Sequence, residues 1–144
     1  MIGNIYTFVI DIPIVAKGRS RSTIVKSNKC VNGITIRHYT PNKTKEFEQE
    51  LSLVVKRKMM AAGFELAVKR PMWVGIEFLF SKDTSKGQEF HTKRPDLDNL
   101  VKSTKDALNK VLYWDDSYVC KMSCDKGFNI VNKDKIIIKF KYLK

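Results

Sequence analysis

The sequence predicts a small α+β domain in which two helices lie on a mixed sheet of four strands. Two observations favour this class. Four stretches alternate apolar with polar residues, as half-buried strands do, and two longer stretches repeat apolar residues every three or four positions, as amphipathic helices do. They follow one another as strand, basic segment, helix, strand, helix, strand and strand, an order typical of the α+β class. A chain of 144 residues is long enough to bury one core, so we expect a single domain over residues 1–144.

The first strand is predicted over residues 5–12, and a basic segment follows it. Residues 12–45 contain eight Lys or Arg residues and no Asp or Glu. The apolar stretches at residues 23–25 and 34–36 predict the two arms of a hairpin around a polar connection. Eight like charges repel one another unless an anion lies among them, so we interpret this basic hairpin as an arm that contacts phosphates. A solvated basic loop also fits the pattern.

The first helix is predicted to begin after Pro41, with Thr40 or Thr44 as its N-terminal cap, and to end at Gly63. The second strand is predicted over residues 73–80, where apolar side chains alternate with outward-facing ones. The residues expected to face the core in these two elements are Phe47, Leu51, Val54, Val55, Met59, Ala62, Val74, Ile76, Phe78 and Phe80.

The second helix is predicted to begin near Asp98. A proline three residues earlier disfavours helix at the residue before it, and an apolar repeat then runs from Leu97 to Leu112. Two further alternating stretches, residues 118–124 and 135–143, predict the last two strands. Residues 129–134 are the predicted turn between these strands.

The overall charge indicates a nucleic-acid partner. The chain has 27 Lys and Arg residues against 15 Asp and Glu, a formal charge of +12, and such an excess favours a polyanion. No basic amphipathic helix, long apolar run or signal peptide indicates a membrane partner or export. The three Cys residues have neither disulfide nor zinc-site spacing. We therefore expect a cytoplasmic protein that binds nucleic acid and no membrane, with ribosomal or anionic-lipid partners as the alternatives that charge alone leaves open.

Acidic residues are concentrated in one short part of this basic chain. Asp96 and Asp98 stand two positions apart, so that an extended backbone would present both carboxylates on one side. Such a cluster suits Mg²⁺, which takes oxygen ligands and, when bound, activates water and stabilises charge on a phosphodiester. The acidic residues between positions 96 and 116 are Asp96, Asp98, Asp106, Asp115 and Asp116.

A structural interpretation fits the same residues. Asp96 or Asp98 would cap the second helix, Asp98 and Lys102 would form a surface ion pair, and Asp115 with Asp116 would form a turn. Spacing alone leaves both interpretations open.

Residues 81–95, before the aspartates, are polar and positively charged. Lys93 and Arg94 bring positive charge next to the acidic residues, as a phosphate backbone held at a metal site requires. His91 could act as a base, but nothing in the sequence positions it, and a loop or phosphate-contacting role is the favoured interpretation.

Three motifs resemble the RusA family of Holliday junction resolvases. The most specific is Pro95-Asp96-Leu97-Asp98-Asn99-Leu100-Val101-Lys102, continued by Asp106-Ala107-Leu108-Asn109 and Asp115-Asp116-Ser117. Upstream, in the family's order, stand Lys17-Gly18-Arg19-Ser20-Arg21 and Tyr39-Thr40-Pro41-Asn42-Lys43-Thr44 with Phe47-Glu48. Ser20 departs from the family pattern, in which many members have proline.

The resemblance implies a Mg²⁺-dependent endodeoxyribonuclease of recombination and repair that nicks two opposed strands of a four-way junction. It implies Asp96, Asp98 and Asp116 as metal ligands needed for cleavage, with Asp115 able to share or take the role of Asp116. Lys102 matches a lysine needed for activity. The predicted DNA contacts are Lys17, Arg19, Arg21, Lys43, Lys93 and Arg94.

The resemblance also implies a homodimer, whose two-fold symmetry matches that of the junction. We expect Mn²⁺ to substitute for Mg²⁺, no nucleotide cofactor, and a bacterial or phage gene, often in a prophage. Two alternatives stay open: a nuclease that acts on flaps or duplex DNA, and a basic DNA-binding protein without catalysis.

Overall fold

The described residues form six strands and two α-helices. The computed structural model describes residues 3–15, 21–26, 34–39 and 42–144. Along the chain the elements are β1 (Tyr6–Ile10), β2 (Arg21–Lys26), β3 (Ile34–Tyr39), α1 (Asn42–Ala61), β4 (Met72–Phe80), α2 (Leu97–Leu108), β5 (Val119–Phe128) and β6 (Lys135–Tyr142).

Four strands make one mixed sheet in the order β1-β6-β4-β5. β6 runs antiparallel to both β1 and β4, whereas β5 runs parallel to β4. The parallel pair needs a crossover connection, and α2 lies within it. The predicted α+β class, with two helices and a mixed four-stranded sheet, is confirmed.

The sequence did not predict the order of the strands. Residues 129–134 join β5 to β6 as expected, but β4 lies between these two strands in the sheet. The segment therefore crosses the end of the sheet instead of closing a hairpin. At this end both carboxylate oxygens of Asp134 accept backbone hydrogen bonds, from Ile14 at 2.9 Å and Ser81 at 2.8 Å.

The core lies between one face of the sheet and the two helices. Alternate residues of β4 and β6 are buried, as period-two patterning predicts, and they pack with the apolar stripes of α1 and α2. Burial of each such side chain contributes about 1.5–3 kcal/mol. The buried residues from these elements include Val74, Ile76, Phe78, Phe80, Ile136, Ile138, Phe140, Phe47, Leu51, Val55, Met59, Leu100 and Leu108.

Two helix boundaries differ from the prediction. Thr44 is buried inside α1, which already begins at Asn42, so it is not the N-terminal cap; Thr40 lies outside the described residues. The apolar repeat continues to Leu112, but α2 ends at Leu108. The backbone leaves the helix at Asn109, whose ψ of 133° is extended, and Lys110 follows with a positive φ of 63°. Leu112 is buried from the turn that follows.

β2 and β3 pair antiparallel as a separate two-stranded sheet. Their connection, residues 27–33, lies outside the described residues, so the basic hairpin as a whole stays a prediction. Neither described helix is long and apolar enough to cross a membrane.

Candidate active site at the start of the second helix

Asp96 and Asp98 lie at the start of α2 with exposed side chains. Asp96 occupies the N-cap position with an extended backbone (φ −70°, ψ 145°), but its side chain makes no capping hydrogen bond. Asp98 lies in the first turn, where the helix dipole favours a negative charge. Asp96 therefore does not perform the capping role that the structural interpretation assigned to it.

Lys102 follows Asp98 by one helical turn and is also exposed. In the described part of the chain, no ion pair joins these two side chains, although their spacing would permit one. The surface pair of the structural interpretation is therefore not formed. Two carboxylates and one ammonium group stand exposed on the opening turns of a single helix.

Asp115 has a structural role. Its Oδ2 accepts a hydrogen bond of 3.1 Å from the backbone N–H of Ser117 and so caps the one-turn 3₁₀ helix Asp116–Tyr118. Hydrogen bonding by Ser117 holds the pKa of the Asp115 carboxyl below its usual range. The predicted turn at these two aspartates is present.

Asp116 is held against the second half of α2. Its Oδ2 lies 3.5 Å from Lys105 Nζ, and both side chains are partly exposed. The adjoining segment is anchored by the buried Tyr113, whose hydroxyl donates to the carbonyl oxygen of Lys105 at 2.9 Å. Burial, followed by the nearby carboxylates of Asp116, Asp106 and Asp115, raises the pKa of Tyr113 well above its usual range. The hydroxyl therefore stays protonated as a donor.

The structure places the predicted ligands at two positions along α2: Asp96 and Asp98 at its start, and Asp116 beside its second half. Lys105 follows Asp98 by seven residues, roughly 10 Å along the helix axis, and Asp116 is paired with Lys105. Among the residues that the structure describes, no three His, Cys, Asp or Glu side chains are arranged to hold a metal ion. The ligand set of Asp96, Asp98 and Asp116 or Asp115 stays a prediction.

The donor chemistry at Asp96 and Asp98 still fits Mg²⁺. This ion commonly takes one or two carboxylates, keeps several waters and completes its shell with substrate phosphate. Two exposed carboxylates that form no ion pair within the described residues match that requirement, and they contain no sulfur or imidazole donor that would favour a softer metal.

Lys126, on β5, holds the backbone that leads into these aspartates. Its Nζ donates hydrogen bonds to the carbonyl oxygens of Lys93 at 2.8 Å and Pro95 at 3.0 Å. A charged donor makes such bonds stronger than neutral ones. Sequence reasoning missed this residue because about thirty positions separate it from the loop, and no local pattern signals the contact.

His91 is a packing residue. Its ring is 9% exposed and stacks on Phe80 with centroids 4.0 Å apart, beside Phe128 at 5.1 Å. Burial, then the positive charge of Lys126, lowers the pKa of His91. His91 lies in the loop between β4 and α2, as one of the two interpretations expected; the other, a phosphate contact, does not fit a buried ring that faces aromatic side chains.

Three of the six predicted DNA contacts have described side chains, and all three are exposed: Lys43 on the first turn of α1, and Lys93 and Arg94 just before α2. Lys17 and Arg19 lie outside the described residues, and only the backbone of Arg21 is described. The basic approach to the aspartates is thus present at residues 93–94.

Two comparisons with known proteins each match the greater part of the chain. The family model described as endodeoxyribonuclease RusA matches residues 11–140. A protein of Bacillus subtilis strain 168, described as uncharacterized protein YqaN, is 31% identical over an alignment of 133 residues that covers 87% of this chain and 89% of that protein. The family match includes every residue assigned above to the candidate site.

Proposed function

We propose that this chain, which belongs to the endodeoxyribonuclease RusA family, is a divalent-metal-dependent endonuclease that resolves four-way DNA junctions. Family membership implies endodeoxyribonuclease activity. The observation in the molecule that best supports the finer proposal is the placement of Asp96 and Asp98, two exposed carboxylates on the opening turns of α2. The chain around them has a net charge of +12. Without a bound metal ion, these two carboxylates would repel DNA phosphate and weaken binding.

Asp96 and Asp98 would hold the metal ion, with Asp116 or Asp115 as a third ligand. When bound, Mg²⁺ supplies an activated water and stabilises the charge that develops on the phosphodiester. Mn²⁺ would substitute for it, because both ions accept oxygen donors in octahedral geometry.

In this proposal, basic side chains of the protein neutralise charge, bind flanking phosphates and position the backbone. Lys102 lies one turn from Asp98 and would neutralise charge on the phosphate being cleaved. Lys93 and Arg94 would hold flanking phosphates and fix the position of the strand. Lys126 would keep the 93–95 backbone in place through its two carbonyl contacts.

Resolution of a four-way junction requires two opposed nicks. A symmetric homodimer would present two copies of the site to the two-fold related strands of the junction. Each site would hydrolyse one phosphodiester bond, and the paired nicks would release two duplexes.

The test is a comparison of labelled DNA substrates in which only the structure differs. A four-way junction, a flap and a plain duplex of the same sequence are incubated with the protein, with Mg²⁺ or with a chelator. We expect symmetric nicks in the junction, little cleavage of duplex, and none with the chelator. Equal cleavage of all three would support the alternative nuclease that acts on flaps or duplex.

One observation favours a second candidate, a DNA-binding protein without catalysis. The described residues contain no three-carboxylate cluster, and Asp116 already has a partner in Lys105. This candidate expects junction binding that needs no metal and no nicking under any condition.

A further inference from the structure

We propose that Trp114, together with Lys69 and Lys110, forms a surface that stacks an unpaired DNA base at the turn that carries Asp115 and Asp116, the candidate third ligands of the cleavage site. The inference rests on the proposed function, and it names the part of the substrate that the protein distinguishes. The three residues are called the tryptophan surface below.

Trp114 is a large apolar side chain that remains 44% exposed. Two ammonium groups lie against its ring: Lys110 Nζ is 3.8 Å from the ring centroid and Lys69 Nζ is 4.5 Å from it. Both lysines are themselves exposed. Cation–π attraction explains why they gather there, but it is weak where the cations remain in water.

The backbone holds this ring in a fixed place. Trp114 N–H donates to the carbonyl oxygen of Val68 at 3.0 Å, and Lys110 N–H donates to that of Tyr113 at 2.8 Å. Val68 and Tyr113 form an isolated β-bridge and are both buried. The surface is therefore built on two segments distant in sequence that the core locks together.

The tryptophan surface adjoins the part of the candidate site that lies beside the second half of α2. Trp114 precedes Asp115 and Asp116, and the same turn holds Asp116 beside Lys105 on α2. A DNA strand with a phosphate near Asp116 would carry a neighbouring nucleotide towards the indole ring.

The chemistry of the surface fits a nucleotide better than a protein or a bare phosphate. An exposed indole offers a flat face for a base, and the two lysines offer cations for the phosphates on either side. A base that covers the ring would displace an ammonium group, which is then free to bind a phosphate. Stacking platforms flanked by positive charge are the usual means of holding single-stranded DNA.

This surface would select for branched DNA. In a continuous duplex each base face is covered by its neighbours, so the indole ring has nothing to stack on. At a junction or fork the bases at the crossing point are more easily unstacked. Trp114 would thus add affinity for branched DNA and none for duplex.

The chain offers a direct probe, because it contains two Trp residues. The other, Trp73, is half-buried and donates from Nε1 to Ser123 Oγ at 3.2 Å on β5. In a Trp73→Phe protein, Trp114 is the only source of indole fluorescence. In the Trp114→Phe protein, Trp73 reports as the matched control.

The experiment adds a four-way junction or a matched duplex to each protein in a chelator, with binding followed independently by the anisotropy of a dye on the DNA. We expect the junction to quench the emission of Trp73→Phe and to leave that of Trp114→Phe nearly unchanged. Trp114→Ala should weaken junction binding about tenfold and leave duplex binding unaltered. Trp114→Phe, which keeps an aromatic face, should lose less affinity.

The lysines supply a further readout. Lys69→Gln and Lys110→Gln should each reduce the slope of log affinity against log salt by about one. Far-UV circular dichroism establishes that each variant folds before binding is compared.

The inference is overturned if Trp73→Phe binds the junction without a change in emission, or if Trp114→Ala loses junction and duplex affinity equally. Either result leaves the proposed function standing, provided that the protein still nicks junctions. A wild-type protein that neither binds nor nicks the junction contradicts the proposed function itself, and the inference with it.

Discussion

Lys105 competes with any cation for the carboxylate of Asp116. The two groups are 3.5 Å apart and 28% and 42% exposed, so water screens their attraction and the pair contributes at most about 1 kcal/mol to stability. If Asp116 is a metal ligand, binding of the ion must break this pair. Lys105 would then weaken binding of the metal ion by the small factor that corresponds to at most about 1 kcal/mol.

We predict that Lys105→Met lowers the Mg²⁺ concentration needed for half-maximal nicking, by up to about fivefold. Titration of Mg²⁺ in the junction-nicking assay measures it. The matched control is Lys139→Met, which breaks a similar pair of 3.8 Å with Glu77 on the sheet face that points away from the helices. A higher Mg²⁺ requirement in Lys105→Met alone would mean that Lys105 positions Asp116 for the metal.

His91 makes stability depend on pH. Burial beside Phe80 and the charge of Lys126 lower its pKa below the ordinary value of 6.5. At pH values between the two pKa values of His91, the unfolded chain binds more protons than the folded protein. The contribution of His91 to the free energy of unfolding is therefore complete above about pH 6.5 and is lost as the pH falls towards the pKa of His91 in the folded protein.

Urea unfolding at about pH 8 and about pH 5 should therefore show a lower midpoint at acid pH. His91→Phe keeps a ring against Phe80 and cannot be protonated, so its midpoint should fall less between the two pH values. An equal drop in both proteins would assign the acid sensitivity to other groups.

At the scale of elements, Lys126 links the edge strand β5 to the loop that presents Asp96. Loss of its two carbonyl contacts would let the entry to α2 move, and a misplacement of about 1 Å can cost about a hundredfold in rate. We predict that Lys126→Met lowers kcat by about 10- to 100-fold with little change in KM. Lys126→Arg should recover part of the loss, because arginine keeps charged donors.

Nicking rates as a function of junction concentration separate the two parameters. A variant that raises KM and keeps kcat would show that Lys126 contacts DNA instead of positioning the loop. A variant that loses stability while both parameters are retained would show a role in folding only.

The elements themselves were predictable, since local patterns determine them. The alternation of Val74, Ile76 and Phe78 predicts β4, and the proline before Asp96 with the apolar repeat from Leu97 predicts α2. Alternation shows which face of a strand is buried but not which strand lies beside it, so the insertion of β6 between β1 and β4 could not be predicted.

The same limit applies to the candidate site. The motif at residues 95–102 locates two carboxylates and a lysine because they share one helix start. Three other features depend on contacts between segments far apart in sequence: the Lys105–Asp116 pair, the hydrogen bonds from Lys126 to the 93–95 backbone, and the burial of His91. These contacts follow from tertiary packing, which spacing does not encode.

At the scale of the whole molecule, the net charge of +12 should dominate affinity for DNA. If about six phosphates are neutralised, the slope of log affinity against log salt should be about −5. Lys93→Gln removes one exposed cation next to the site and should reduce the slope by about one. Lys139→Gln removes the same charge from the far face of the sheet and should leave it unchanged. A slope near zero for the wild-type protein would contradict electrostatic binding.

The central claim is that the exposed carboxylates at the start of α2 are needed for DNA cleavage. The most direct measurement compares nicking of a four-way junction in Mg²⁺ by the wild-type protein, Asp98→Asn and Asp125→Asn. Asp125 is exposed on β5, next to Lys126 and on the opposite side of the strand, so its variant removes the same charge away from the site. We predict that Asp98→Asn binds the junction but does not nick it, while Asp125→Asn nicks like the wild type. Nicking by Asp98→Asn at the wild-type rate, or no nicking by the wild-type protein, would contradict the account.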